Sequence, residues 1–142
     1  MGIRIVITSG KGGTGKTTAV AALSSCLAAM GRRTLCIDGD VGLKNLDLAL
    51  GLPDVVGMSF LDVLYGREGL ETAACPHPEI PNLYFLTAPQ SAAPEEIDPA
   101  AFAALLAQAG ERYDYVFVDA PAGIGAGFRL AAAGADMAIV VA

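Results

Sequence analysis

Gly10, Lys11, Gly12, Gly13, Thr14, Gly15, Lys16, Thr17 and Thr18 form one run, GKGGTGKTT. A glycine, four residues, then Gly15, Lys16 and Thr17 is the spacing of a phosphate-binding loop. The residue types explain why. Glycines reach φ values that other residues avoid, so the backbone can wrap closely around an anion. The N–H groups of such a loop, and of the first turn of the helix after it, point at phosphate oxygens, and the helix dipole favours the charge. Lys16 would contact the β- and γ-phosphates, and the Thr17 hydroxyl would ligate Mg²⁺. The flanks supply the required strand–loop–helix context: an apolar run (Ile3, Ile5, Val6, Ile7) precedes the loop, and an amphipathic stretch (Val20, Leu23, Leu27, Met30) follows it.

Two acidic loops could complete such a site. Asp38-Gly39-Asp40 follows the strand-like TLCID. Open α/β sheets bind ligands at the carboxyl ends of their strands, so both aspartates face the phosphate end. One can position Mg²⁺ while the other orients or polarises an attacking water. Asp119 closes YVFVD, four apolar residues and then a carboxylate. It can hold a Mg²⁺-bound water, although an aspartate there can also simply cap the next turn. In Ala120-Pro121-Ala122-Gly123, Gly123 can bring its N–H close to a γ-phosphate with no side chain in the way. Cys75-Pro76-His77 offers two potential metal ligands, too few for a site, and reads as loop.

The elements that must position these groups alternate between strand and helix. Strands are expected over Ile3–Thr8, Thr34–Asp38, Asn82–Leu86, Tyr115–Asp119 and Met137–Val141. Helices are expected over Lys16–Met30, stopped by Gly31, and over Ser59–Tyr65, with Ser59 and Asp62 forming a capping box. A further helix begins at Pro99 behind the cap Asp98 and ends at Gly110, with Phe102, Leu105, Leu106 and Ala109 on one face. A short helix is expected near Phe128–Ala133, and Val41–Leu52 reads as a switch-like loop. Alternation of this kind predicts an α/β doubly wound, mostly parallel sheet with helices on both faces and right-handed crossovers.

Composition agrees. Of 142 residues, 54% are hydrophobic and 17% charged, as expected where strands are buried on both faces. The net charge of −6 argues against direct binding of nucleic acid, whose phosphates recruit basic surfaces. No run approaches the length of a membrane span. The three cysteines form no CxxC pair, and a reduced cytoplasmic setting is expected. Residues 1–142 read as one domain. The chain stops directly after MAIVV, an apolar strand expected inside the sheet, so it is expected to be the N-terminal part of a longer protein.

The motifs together resemble the MinD/ParA family of P-loop ATPases. GKGGTGK carries the deviant Walker A box of that family, marked by its early lysine, Lys11. Ile37–Leu52 (IDGDVGLKNLDLALGL) and Val118–Val141 (VDAPAGIGAGFRLAAAGADMAIVV) are similar to the two switch segments of its MinD branch. Asp40-Val41-Gly42 stands where chain-segregation relatives carry Asp-Pro-Gln. Thr14 replaces the commoner valine, Gly125 stands where an acidic residue is usual, and residues 70–94 match poorly.

The resemblance implies ATP and Mg²⁺ as cofactors and ATP hydrolysis that drives homodimerisation. It also implies MinC- and MinE-like partners and peripheral inner-membrane association, through a C-terminal helix that this sequence lacks. In that scheme Thr17, Asp38 and Asp119 hold the metal, and Asp40 orients the water. Lys11 reaches the nucleotide of a second copy, as an arginine finger does. A ParA-like or flagellar-placement ATPase, or a catalytically silent nucleotide-binding module, remains an alternative, and the choice between ATP and GTP stays open.

Overall fold

Strand β1 (Ile3–Ser9) shows how this chain builds two layers on one sheet. Ile5 and Ile7 are buried on one face with helix α1 (Lys16–Ala29), and Val6 is buried on the other. The computed structural model describes residues 2–9, 15–39, 60–66, 69–87, 97–120, 129 and 132–141. After α1 come β2 (Thr34–Asp38), α2 (Phe60–Leu64), α3 (Leu70–Ala73), β3 (Cys75–Pro76) and β4 (Leu83–Leu86). Then follow α4 (Pro99–Arg112), β5 (Tyr115–Asp119) and β6 (Met137–Val141). The sheet order is β3-β4-β2-β5-β1-β6, and every pairing is parallel except β3 with β4.

Period-two alternation sorts the core. Cys36, Phe85 and Phe117 join Ile5 and Ile7 under α1. Leu35, Ile37, Val116 and Val118 join Val6 beneath α2, α3 and α4, where Phe60 meets Phe102 edge to face at 5.3 Å. The doubly wound, mostly parallel architecture is borne out.

The boundaries differ instructively. Helix α1 ends at Ala29; Gly31, at φ +86°, then allows Arg32 N–H to reach Leu27 O and Gly31 N–H to reach Ala28 O. That is a Schellman ending. The residues α1 turns inward are Val20, Ala21, Ser24 and Ala28, whereas Leu23 and Met30 of the expected apolar stripe are exposed. Small residues let the helix lie close to the sheet. Helix α4 has the expected cap, with Asp98 Oδ1 accepting from Ala100 N–H at 3.0 Å, but it continues past Gly110 to Arg112. Gly110 lies inside the helix: its carbonyl accepts from Gly2 N–H, and an added Cβ would meet Arg4 at ordinary contact distance. Asn82 has φ +69°, so β4 begins one residue later, at Leu83; asparagine tolerates that region.

Helix α3 and strand β3 are too short to leave a periodic signal. His77, just after β3, accepts at Nδ1 from the N–H groups of Glu79 and Ile80, consistent with a turn. The one described neighbour of strand β6 is β1, and Val140 is 67% exposed. The proposed cap Ser59, the switch-like loop at 41–52 and Phe128 lie outside the described residues, although Arg129 and Ala132 are helical.

Two polar clamps hold the register at the far end of the sheet from the acidic strand ends. Arg33 N–H donates to Asp114 Oδ2, and its carbonyl accepts from Asp114 N–H at 2.8 Å. Its guanidinium lies 5.1 Å from the ring centres of both Tyr84 and Tyr113. Arg4 binds Asp136 through its backbone N–H and through Nη2, at 2.9 and 3.0 Å, tying β6 to β1.

Phe102→Ala should destabilise the fold by about 3–5 kcal/mol, and Phe102→Leu by less, as read by denaturant unfolding. The Arg4 guanidinium and N–H hold the Asp136 carboxyl below its usual range. Its contribution is therefore present at neutral pH and lost as pH falls through that depressed value. The stability gap between wild type and Asp136→Asn should narrow from pH 7 to pH 2. Burial pushes the Cys36 thiol up to about 12, with the Asp119 charge adding and a Ser24 hydrogen bond opposing. At pH 8 iodoacetamide should label exposed Cys26 in the folded protein and spare Cys36 until denaturant is added.

Candidate functional site

Lys16 is the first residue of α1, and the glycine before it sets its direction. Gly15 sits at φ +83°, in the left-handed region, and its carbonyl accepts from Ala19 N–H at 2.8 Å to open the helix. A side chain would be strained there. The first turn of α1 carries no acidic residue. Its leading N–H groups have no partner further back along the helix, so they present the positive end of the dipole. Thr17 and Thr18 belong to that same turn.

The sheet brings the carboxylates to the same end. Asp38 ends β2, Asp119 ends β5, and the two are direct register partners. Asp119 is also the partner of Ile7 on β1, which leads toward α1. The backbone bonding continues past the aspartates: Gly39 N–H donates to Asp119 O at 3.0 Å, and Ala120 N–H donates to Ile7 O at 2.9 Å. Both strand ends are thus held rigidly. Asp38 and Asp119 are each 1% exposed and Lys16 is 8% exposed. The ammonium of Lys16 forms an ion pair with Asp119 Oδ1.

The strand order supplies a topological reason for a site at this end. β1 and β5 are neighbours, yet α1 leaves β1 on one face, whereas Ala132 and Ala135, after β5, pack on the opposite face. Connections diverging from adjacent parallel strands open a gap at their carboxyl ends, where such sheets take their ligands.

Lys16, Asp38 and Asp119, read separately from the sequence, therefore converge, with Gly15, Thr17 and Thr18 at the same helix end. Gly10, Lys11, Gly12, Gly13, Thr14, Asp40 and Gly123 lie outside the described residues. The pairing of Lys16 with Asp119 was not anticipated. The two are 103 residues apart, and no local pattern marks the contact. Thr8 and Thr87, buried polar residues toward the carboxyl ends of β1 and β4, were not singled out either; isolated threonines carry no spacing signal.

The donor set suits a magnesium–phosphate ligand. Among the described residues no group of three or more His, Cys, Asp or Glu comes together as a metal cage. Two adjacent carboxylates are what Mg²⁺ takes when phosphate oxygens and waters complete its octahedron. At the helix start, a Cβ built on Gly15 meets no atom of the described residues within 4 Å.

Residues 3–142 match a protein family described as AAA domain. The chain is similar to the septum site-determining protein MinD of Thermotoga maritima, at 44% identity over 141 residues, covering 99% of this chain and 52% of that protein. Among solved structures it resembles a chain of the MinC:MinD cell division protein complex of Aquifex aeolicus, at 40% identity and TM-score 0.85, covering 97% of this chain and 55% of that one. It also resembles MinD complexed with Mg-ADP from Pyrococcus horikoshii, at 38% identity and TM-score 0.85, covering 99% and 58%. The chain spans about half the length of the relatives it matches. The resemblance carried by the motifs is borne out over nearly the whole sequence, and the chain belongs to the AAA domain family.

Proposed function

We propose that residues 1–142 form one nucleotide-binding domain that takes ATP with Mg²⁺ and forms the phosphate-handling part of a MinD-type ATPase acting in division-site placement. The observation that carries this reading is the convergence of Lys16, Asp38 and Asp119 at the start of α1, beside a glycine held in the left-handed region. Support comes from the relatives: one is described as MinD with Mg-ADP, another as a complex of MinC with MinD.

Each residue has a defined task. The N-terminal amides of α1 and the Lys16 ammonium neutralise phosphate charge and orient the triphosphate. Asp38 and Asp119, with the Thr17 hydroxyl, would hold Mg²⁺, which when bound supplies further neutralisation of the phosphate oxygens. Asp40 orients the water for in-line attack, and Gly123 offers its N–H to the γ-phosphate. Lys11 reaches the nucleotide of a second copy, so hydrolysis depends on ATP-driven dimerisation. In the full-length protein this cycle would alternate between MinC-like and MinE-like partners and a membrane surface. The described residues contain no helix long and apolar enough to cross a membrane, and the proposed attachment is peripheral.

Calorimetry and phosphate release test the reading. Lys16→Ala should abolish ATP binding. Lys11→Ala in the full-length protein should keep binding while losing about 10³–10⁵ in hydrolysis rate, the worth of an arginine finger. Normal turnover by Lys11→Ala would overturn the trans-acting lysine. Failure of the wild-type chain to bind ATP would overturn the nucleotide site in this chain.

A further inference from the structure

Helix α1 carries Lys16 at one end and is tied down at the other. Its inward side chains are small or medium: Val20, Ala21, Ser24 and Ala28 are buried, and Leu27 is only half-buried. A face this smooth resists sliding and tilting less than one built of large interlocking side chains. At about 1.5 Å per residue, the 14 residues of α1 span about 20 Å. A tilt of about 3° about the far end therefore moves Lys16 by about 1 Å. A shift of about 1 Å, caused by a change remote from the chemistry, can cost about 10²-fold in rate.

The far end is held by the four residues that lead from α1 to β2, Met30 to Arg33. Every backbone N–H from Met30 to Thr34 is bonded. Met30, Gly31 and Arg32 donate back to the last turn of α1, and Thr34 donates to Asn82 O at 2.8 Å. Arg33 makes the link to the rest of the sheet. Its N–H donates to Asp114 Oδ2 at 2.9 Å, and its carbonyl accepts from the N–H groups of Asp114 and Tyr115, at 2.8 and 3.2 Å. Its guanidinium lies 5.1 Å from the ring centres of Tyr84 in β4 and Tyr113 just before β5. One residue thus joins the end of α1 to two strands besides its own.

We propose that Arg33 is a positioning residue for phosphate binding: by fixing the far end of α1 to the base of β4 and β5, it sets where Lys16 stands at the other end of the helix. This inference rests on the nucleotide-binding reading above. Asp136 provides a matched comparison. It clamps β6 to β1 at the same end of the sheet, through Arg4, and takes no part in the path from Arg33 to Lys16.

The test measures ATP binding with Mg²⁺ by calorimetry on this chain, in wild type, Arg33→Met, Asp114→Ala, the double variant and Asp136→Asn. Denaturant unfolding and circular dichroism are followed in parallel. Arg33→Met should remain folded and bind ATP about tenfold less tightly, as expected when a charge-assisted bond from Lys16 is misaligned. Asp114→Ala should weaken binding in the same direction, and decides the matter if Arg33→Met does not fold. The double variant should bind no more weakly than the weaker single one, because both changes act through one clamp. Asp136→Asn should bind ATP as wild type does, even though it also loses stability. A folded Arg33→Met with wild-type affinity overturns the positioning role and leaves the nucleotide site standing. An equal loss of affinity in Asp136→Asn also overturns it, because general loosening would then explain the effect. If neither clamp variant folds, the clamp holds the sheet as a whole, and the specific role of Arg33 fails. Absence of ATP binding by wild type overturns both this role and the nucleotide site.

Discussion

The register between β2 and β5 determines whether Asp38 and Asp119 meet, and it is anchored at the far end of the two strands. Arg33 exchanges hydrogen bonds with Asp114 and lies against Tyr84 and Tyr113. That clamp pairs Thr34 with Tyr115, and counting up the ladder then pairs Asp38 with Asp119. A slip of one residue would turn each side chain of β2 to the other face. Leu35 and Ile37 would leave the layer beneath α4, and Asp38 would lose its place beside Asp119. Apolar burial and the acidic pair therefore select the same alignment. The cation–aromatic contacts at the base strengthen it, each worth about 0.5–1 kcal/mol at an exposed site.

Burying two carboxylates and an ammonium in one region is unfavourable in isolation. The fold offsets this in two ways. Asp119 is paired with Lys16. The backbone groups around the acidic ends are also satisfied by the bonds from Gly39 to Asp119 and from Ala120 to Ile7. Below that polar layer the strands are lined by Ile, Val, Leu and Phe on both faces. Helix α1 can deliver Lys16 to that layer because Ala21, Ser24 and Ala28 form its inner side. Larger inward residues would lift the helix from the sheet and carry the lysine away from Asp119.

Much of this was legible in order along the chain. Three strands, β2, β5 and β6, have the limits that their apolar runs suggest, and Asp98-Pro99 and Gly31 mark helix ends by chemistry that acts within a few residues. The errors have a common source. Gly110 looks like a helix stop, yet it lies inside α4, where its carbonyl accepts from the N–H of Gly2. Leu23 and Met30 look like core residues, yet they are exposed because α1 contacts the sheet through smaller side chains. In each case a neighbour distant in the chain overrode the local pattern.

The phosphate loop and the acidic strand ends could be recognised from one dimension, because each is defined by residue type, short spacing and the strand or helix beside it. Their relation could not. That Asp119 lies between Ile7 and Asp38, that α1 and the segment after β5 pack on opposite faces, and that Lys16 pairs with a residue 103 positions away all depend on strand order. Strand order follows from long-range closure of the sheet and from packing on both of its faces, which no local run of residues encodes.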